Sequence, residues 1–299
     1  MSGFSPEWLA LREPADAAAR APTLCDALPR SDDRPLDVVD LGAGTGANLR
    51  WLAPRLGGRQ RWRLVDDDPA VLAAVPDALR AWADHGRLAC TETPRGLEIA
   101  GDTFACEIEL VETDVRRGLD RCMPDRGGLV TASALLDLVS NDWLRRLAAR
   151  CAEAEASILL GLTYDGRIRC EPPEPGDERV RALVNRHQHR DKGFGPALGP
   201  DAATRVIDVF AAHGYTLRAE TADWRLGREA RALQRALLAG WRDAAVEVAP
   251  DDAPATDAWL ARRLEHVDRG RSRLVVGHID VAGRKSCQTP FSRARGNGV

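Results

Sequence analysis

"VVDLGAGTGANLRWL", residues 38–52, passes from an apolar run through three alternate glycines into a segment with helical spacing. A buried strand, a tight turn and a helix in that order form the first half of a βαβ unit. Without side chains, Gly42, Gly44 and Gly46 let the backbone turn sharply and approach a ligand closely. The helix that follows begins with N–H groups that have no partner inside it. Such a turn is a cradle at the carboxyl edge of a parallel sheet, where open α/β folds bind their ligands.

Outward from this stretch the alternation continues. "RWRLVDDD" reads as a second strand, and Pro69 opens the helix "AVLAAVPDALRAWADHG". Residues 87–114 are less regular: "RLACTET", "GLEIAG" and "ACEIELVETD" predict a hairpin leading into a third core strand. "GGLVTASALLDLV" supplies a fourth strand and "NDWLRRLAARCAEA" a helix capped by Ser140 or Asn141. "SILLGLTYD" is a fifth strand, with Asp165-Gly166 suited to a hairpin turn. Later come a helix and strand in "GPDAATRVIDVFAAHGYTLRAETADWRLG", helices near 228–245 and 256–268, and the closing strand "SRLVVGHIDVAG". Strands alternating with helices predict a parallel sheet covered on both faces.

The bulk numbers exclude several classes. The chain has 299 residues, 44% apolar and 29% charged, as a folded globular protein does. A net charge of −3 gives no general attraction to nucleic acid or to an anionic membrane. The N-terminus lacks the basic start and apolar run of a secretory signal, and no stretch is apolar enough to span a bilayer. Seven scattered cysteines without a C-x-x-C pair indicate neither a disulfide framework nor a zinc site. A cytoplasmic protein with reduced cysteines is the expectation.

Three ligands compete for the glycine turn. A phosphate loop of the Walker type needs a lysine after its glycines, and none is present. A dinucleotide fingerprint can be read as Gly42, Gly44 and Ala47. The third ligand is S-adenosylmethionine (SAM): "VVDLGAGTG" resembles the first motif of class I SAM-dependent methyltransferases, Asp40 included. The resemblance places Asp40 near the methionine ammonium, where a pyrophosphate would be repelled. It implies that Gly42, Ala43, Gly44 and Gly46 line the cofactor. "LVDDDP" resembles the family's second landmark, so Asp66 would accept the ribose hydroxyls, with Asp67 at the adenine and Asp68 capping the helix. In "LVETDV", Asp114 would accept from the adenine amine and the Val115 amide would meet the ring. Three acidic strand ends at one sheet edge favour SAM over NAD.

What the resemblance implies for the fold is an α/β, Rossmann-like three-layer sandwich. Its sheet is mostly parallel and seven-stranded, with an antiparallel last strand and helical insertions. The expected organisation is an N-terminal helical cap over 1–35, a methyltransferase domain over 36–283 with lid segments near 166–197 and 228–268, and a disordered tail over 284–299.

The acceptor side is less legible. "TASALLDLV", residues 131–139, lacks the "[DN]-P-P-[YF]" box of enzymes that methylate nucleobases or glutamine, so the chain looks more like the small-molecule methyltransferases. Ser133 would border the cofactor's methionine part; Asp137 either faces the acceptor or caps the next helix. Tyr164 in "LTYDGRI" sits where family members place acceptor contacts. "VNRHQHRDKGFGPALGP", residues 184–200, concentrates Asn185, His187, Gln188, His189 and Lys192 before a Gly/Pro loop. It suits a lid over a bound acceptor or, equally, a solvated helix with an ordinary loop. His187, His189, Tyr164 and Asp137 are the candidate catalytic groups; Asn185, Gln188, Lys192 and Trp224 join Tyr164 as candidate substrate contacts. Histidines two apart diverge on a helix, so no metal site is expected. Arg12 and Arg20 are candidates for the methionine carboxylate, although surface ion pairs explain them nearly as well. The function implied is methyl transfer from SAM, releasing S-adenosylhomocysteine (SAH), to a small-molecule acceptor. RNA or protein methylation and a non-catalytic SAM-binding module are the alternatives.

Overall fold

Residues 5–285 are described by the structure, a computed structural model. Helix α1 (Pro6–Ala19) and a 3-10 turn (Pro22–Ala27) precede β1 (Leu36–Leu41), α2 (Ala47–Leu56), β2 (Gly58–Asp66) and α3 (Pro69–Gly86). Then come β3 (Ala89–Thr93), β4 (Gly96–Ala100), β5 (Phe104–Glu112), the single turn α4 (Val115–Gly118), β6 (Leu129–Ser133), α5 (Asn141–Glu153) and β7 (Ser157–Glu171). The described residues end through α6 (Asp177–Gln188), α7 (Ala202–Ala212), β8 (Tyr215–Thr221), β9 (Trp224–Leu226), α8 (Arg231–Val248), α9 (Ala253–Asp268) and β10 (Arg273–Lys285).

β1 is buried at every residue, its two aspartates Asp37 and Asp40 included, as befits a strand covered on both faces. It lies between β2 and β6, both parallel to it. The sheet order is β3-β4-β5-β2-β1-β6-β7-β10-β8. From β5 to β7 all neighbours are parallel, whereas β10 is inserted antiparallel between β7 and β8. The mostly parallel, seven-stranded sheet with one antiparallel strand that the resemblance implies is thus present in β5, β2, β1, β6, β7, β10 and β8. The β3–β4 hairpin extends the edge beyond β5, and the short β9 pairs with β10, which brings the sheet to ten strands.

One face of the sheet carries Val39, Val130 and Leu160 against Leu144 and Leu147 of α5 and Phe210 of α7. The other packs Val38, Leu64 and Leu159 against Leu49 and Leu52 of α2 and Leu24 of the 3-10 turn. Ser140 caps α5, its Oγ accepting from the Trp143 amide at 3.3 Å. A third cluster, against the outer stretch of the β7–β10 pair, unites Leu183 and Val184 of α6, Leu238 and Trp241 of α8, Trp259 and Val267 of α9, and Leu274 and Val276 of β10. The sequence segments 166–197 and 228–268 therefore share one core.

Two boundaries differ from expectation. No turn forms at Asp165-Gly166: β7 continues to Glu171 because β10 keeps pairing with it as far as Arg273↔Glu171. A register shift between Val276 and His278 absorbs the irregularity there. At the other end, Arg284 and Lys285 lie within β10, paired with Thr216 and Tyr215, so the anticipated disordered tail does not begin at 284. Residues 286–299 lie outside the described residues.

Candidate functional site

The glycine turn sits at the carboxyl end of β1, with Gly42, Gly44 and Gly46 at φ of +64°, +55° and +79°. These left-handed values exclude most side chains and explain the spacing of the motif. Gly46 is the N-cap of α2, and Leu9 of α1 covers the turn: a Cβ on Gly44 would lie 3.2 Å from its Cδ1. Ala43 is buried, and its N–H donates to Val65 O.

Beneath the turn is a buried polar network. Asn48 of α2 donates from Nδ2 to Asp40 Oδ1 at 2.7 Å and to Thr131 Oγ1 at 3.0 Å. Its Oδ1 accepts from Arg20 Nη1 at 2.9 Å, and Arg20 Nε donates to Asp280 Oδ2 at 3.0 Å. Asp280 is completed by the amides of Ala21 and Leu162. Two atoms are left over: Asp40 Oδ2 and Arg20 Nη2 are buried with no hydrogen-bond partner. Burial raises the Asp40 carboxyl to about 7, against the opposing effect of Asn48 and Arg20. An unpaired acceptor and an unpaired guanidinium donor beside a glycine turn suit the ammonium and carboxylate of an amino acid. Arg12, the other candidate, is paired with Asp16 through Nε at 2.9 Å and Nη2 at 3.1 Å, above the Trp224 ring.

Asp66 ends β2 and already serves the backbone, accepting from Gly44 N at 2.9 Å and Asp68 N at 3.1 Å. Burial raises its pKa. Asp68 caps α3 through the amides of Ala70 and Val71, as its place before Pro69 suggests. Asp114 is the N-cap of α4 and also receives Arg116 Nε at 2.6 Å. The same guanidinium reaches Asp67 Oδ2 at 2.7 Å and lies over the Phe194 ring. Although burial opposes it, bonding to Arg116 holds the Asp114 carboxyl below the usual range. Val115 is buried, and its carbonyl accepts from Trp143 Nε1 at 2.9 Å.

Past β6, Ser133 is half-buried and Ala134 takes a left-handed φ of +54°, its N–H bonded to Gly161 O. Leu135 rests against Gly42. Asp137 is buried and caps nothing; Ser140 takes that role. Burial raises the Asp137 carboxyl to about 6, while Arg12 and Lys192 pull it down. On β7, Tyr164 donates its hydroxyl to Asn185 Oδ1 at 2.7 Å, and Asn185 Nδ2 donates to Gly166 O at 3.0 Å. Tyr164 stands edge-on to His278, which in turn faces Trp224, and Trp224 Nε1 donates to Asp16 at 3.0 Å.

The two histidines of "NRHQHRD" separate. His187 bridges Glu247 of α8 (Nε2 to Oε2, 3.2 Å) and Lys192 (Nδ1 to Nζ, 3.3 Å). His189 is the C-cap of α6, its side chain 46% exposed and its Nδ1 near Ala197 O. Its Nε2 lies 4.0 Å from Asp201 Oδ2. Gln188 lies where the chain doubles back, its backbone in contact with Gly199. From Phe194 to Gly199 the loop runs along the segment after β6. Phe194 packs edge-on to Trp143, Ala197 bridges Ser140, and Leu198 and Gly199 donate to Val139 O and Asp137 O. This loop is a strap fastened by backbone hydrogen bonds.

Sequence reasoning missed Asn48, Asp280, Arg116 and His278. Signals existed for two of them. Asn48 is a helix-unfavourable residue inside the opening helix, and Asp280 is a charge inside an apolar closing strand. A cavity of about 230 Å³ between α1 and the β8–β9 corner, lined by Ala15, Ala19, Thr221 and Asp223, contains none of these groups. Among the described residues no cluster of three metal-ligating side chains occurs, and no helix is long and apolar enough to cross a membrane.

No protein-family model and no curated protein matches the chain. Solved structures do. A cyclopropane synthase from Mycobacterium tuberculosis is 11% identical at a TM-score of 0.44, over 95% of this chain and 87% of that one. A precorrin-6y C5,15-methyltransferase from Geobacter metallireducens is 13% identical at 0.41, over 96% and 92%. A SAM-dependent methyltransferase from Thiobacillus denitrificans, in complex with SAH, is 14% identical at 0.39, over 94% and 92%.

Proposed function

We propose that this protein transfers a methyl group from SAM to a small-molecule acceptor. The observation that carries the reading is the pair of buried, unpartnered atoms at the glycine turn, Asp40 Oδ2 and Arg20 Nη2. A pyrophosphate would meet Asp40 as a repelled anion. A zwitterionic amino acid satisfies both atoms. The residues present fit SAM: Asp40 and Arg20 for its methionine end, the turn from Gly42 to Gly46 beneath it, Asp66 for the ribose hydroxyls. Asp114 and the Val115 amide would take the adenine edge, with Asp67 beside it.

When bound, SAM supplies an activated methyl carbon that an acceptor lone pair displaces in line. The chain's own work is then alignment and exclusion of water. Leu9 covers the glycine turn and the 194–199 strap covers the segment after β6. Ser133 and Leu135 border the reacting region, and Asp137, Tyr164, Asn185 and Lys192 supply polar contacts for the acceptor. His278 and Trp224 back Tyr164. The burial of Asp137 and Tyr164 favours a small acceptor over a polymer.

Calorimetry with SAH and NAD, run side by side, tests the assignment. Micromolar SAH binding without NAD binding is the expected result; tight NAD binding with no heat from SAH would overturn it. SAH formation from SAM should then appear with a protein-free extract of small metabolites and be lost when that extract is replaced by RNA.

A further inference from the structure

Lys192 and Lys285 are the only lysines in a chain whose lysines and arginines total 42. Wherever a fixed positive charge serves, this sequence uses arginine, which keeps its proton under all physiological conditions. Lysine can give its proton up. Lys285 donates to Ala152 O at 2.7 Å. Lys192, half-buried, has an imidazole as its hydrogen-bond partner: Nζ lies 3.3 Å from His187 Nδ1, and His187 Nε2 lies 3.2 Å from Glu247 Oε2. The Glu247 carboxylate only accepts, so Nε2 carries the hydrogen and Nδ1 is left to accept from Lys192.

Amine, imidazole and carboxylate thus form a line across three segments, the loop that follows α6, α6 itself and α8. Its outer end is in water, with the Glu247 side chain 59% exposed and paired also with Arg190. Its inner end is Lys192, half-buried and within electrostatic reach of Asp137. Gly199 of the strap donates to Asp137 O and touches Gln188, which sets the end of α6 beside Asp137. The charged groups that act on Lys192 are Glu247, Arg190 and Asp137.

We propose that Lys192 takes the proton of the methyl acceptor and that His187 and Glu247 carry it to solvent. The inference rests on the methyl-transfer reading and narrows its substrate class. The acceptor is a heteroatom that arrives bearing a proton: a hydroxyl, a thiol, or a primary or secondary amine. As the acceptor's lone pair forms the new bond to carbon, the carbon–sulfur bond breaks and its electron pair stays on sulfur. The acceptor's proton goes to the lone pair of neutral Lys192. The resulting ammonium passes a proton to His187 Nδ1 while Nε2 releases its own to the Glu247 carboxylate. Water removes it from there, so one proton leaves per methyl transferred. Burial, joined by Arg190, lowers the Lys192 pKa, while Glu247 and Asp137 oppose the shift.

With only two lysines, protein grown on lysine labelled with carbon-13 at Cε gives two resolved signals, and Lys192→Arg identifies which is which. Both are followed against pH in the full chain and in Glu247→Gln and His187→Gln. The expected result is a Lys192 inflection at least about one pH unit below that of Lys285, moving in both variants. A Lys192 that titrates with Lys285, or that ignores both substitutions, overturns the relay. SAH calorimetry on the same samples keeps the two ideas apart. An ordinary lysine titration with SAH bound sinks only the relay, and absence of SAH binding sinks the methyl-transfer reading whatever the lysine does.

Discussion

Asp40 combines three properties that seldom coincide: it is wholly buried, one of its oxygens has no partner, and burial lifts its carboxyl to about 7. An unfolded aspartate titrates near about 3.9. Between those values the native state holds a proton that the unfolded chain has released, so this group's contribution to stability declines as pH rises toward 7. Ligand binding has the opposite preference, because an ammonium is held by the carboxylate and not by the neutral acid. SAH affinity should therefore weaken below about pH 7, approaching roughly tenfold per pH unit, as calorimetry across a pH series would show. Asp40→Asn keeps an oxygen for Asn48 and removes the buried charge. It should raise the melting temperature at pH 8 while weakening SAH by about tenfold or more, the loss of a charge-assisted bond of roughly 1.5–3 kcal/mol. A variant that binds SAH as tightly as the parent would remove Asp40 from the site.

Among the elements, β7 and β10 do most to assemble the polar site. Their pairing holds Tyr164 opposite His278, and β10 brings Asp280 to Arg20. Gly161 is the position on β7 that makes room for this: a Cβ there would lie 2.7 Å from the Arg20 guanidinium carbon. Arg20 cannot swing aside cheaply, being buried and bonded to both Asp280 and Asn48. Gly161→Ala should break that buried pair at a cost of about 3–5 kcal/mol, seen as a lowered midpoint in urea unfolding. SAH binding should fall in parallel. An unchanged midpoint would mean that the guanidinium relaxes freely and that the network is not held as tightly as its hydrogen bonds imply.

For the whole molecule, the third hydrophobic cluster makes α6, α8 and α9 a packed body beside the sheet. Its polar anchor is Arg263, a fully buried side chain that pairs with Asp177 and donates from Nη1 to Pro172 O at 2.6 Å. Arg263→Ala leaves Asp177 without its counter-charge, again about 3–5 kcal/mol. Amide exchange should then accelerate across α6, α8 and α9 while β1, β2 and β6 stay protected. Uniform acceleration through the central strands would show that insert and sheet unfold as a single unit.

The sequence by itself determined the strand–helix alternation and the glycine turn after β1, because those features are written in local terms. Apolar runs of strand length, glycines at alternate positions and acidic strand ends need only neighbours along the chain to be read. The β3–β4 hairpin was legible for the same reason. Tertiary structure decided which charged groups stand alone and which are paired, since an arginine's partner lies at any distance in sequence. Arg12 was taken up by Asp16 four residues away, Arg20 by Asp280 across the sheet, and Asp67 and Asp114 by one guanidinium. His187 and His189, alike on paper, were parted by the end of α6 into a half-buried bridge and an exposed cap. Electrostatic pairing and burial depend on position in space, and the fold alone supplies that.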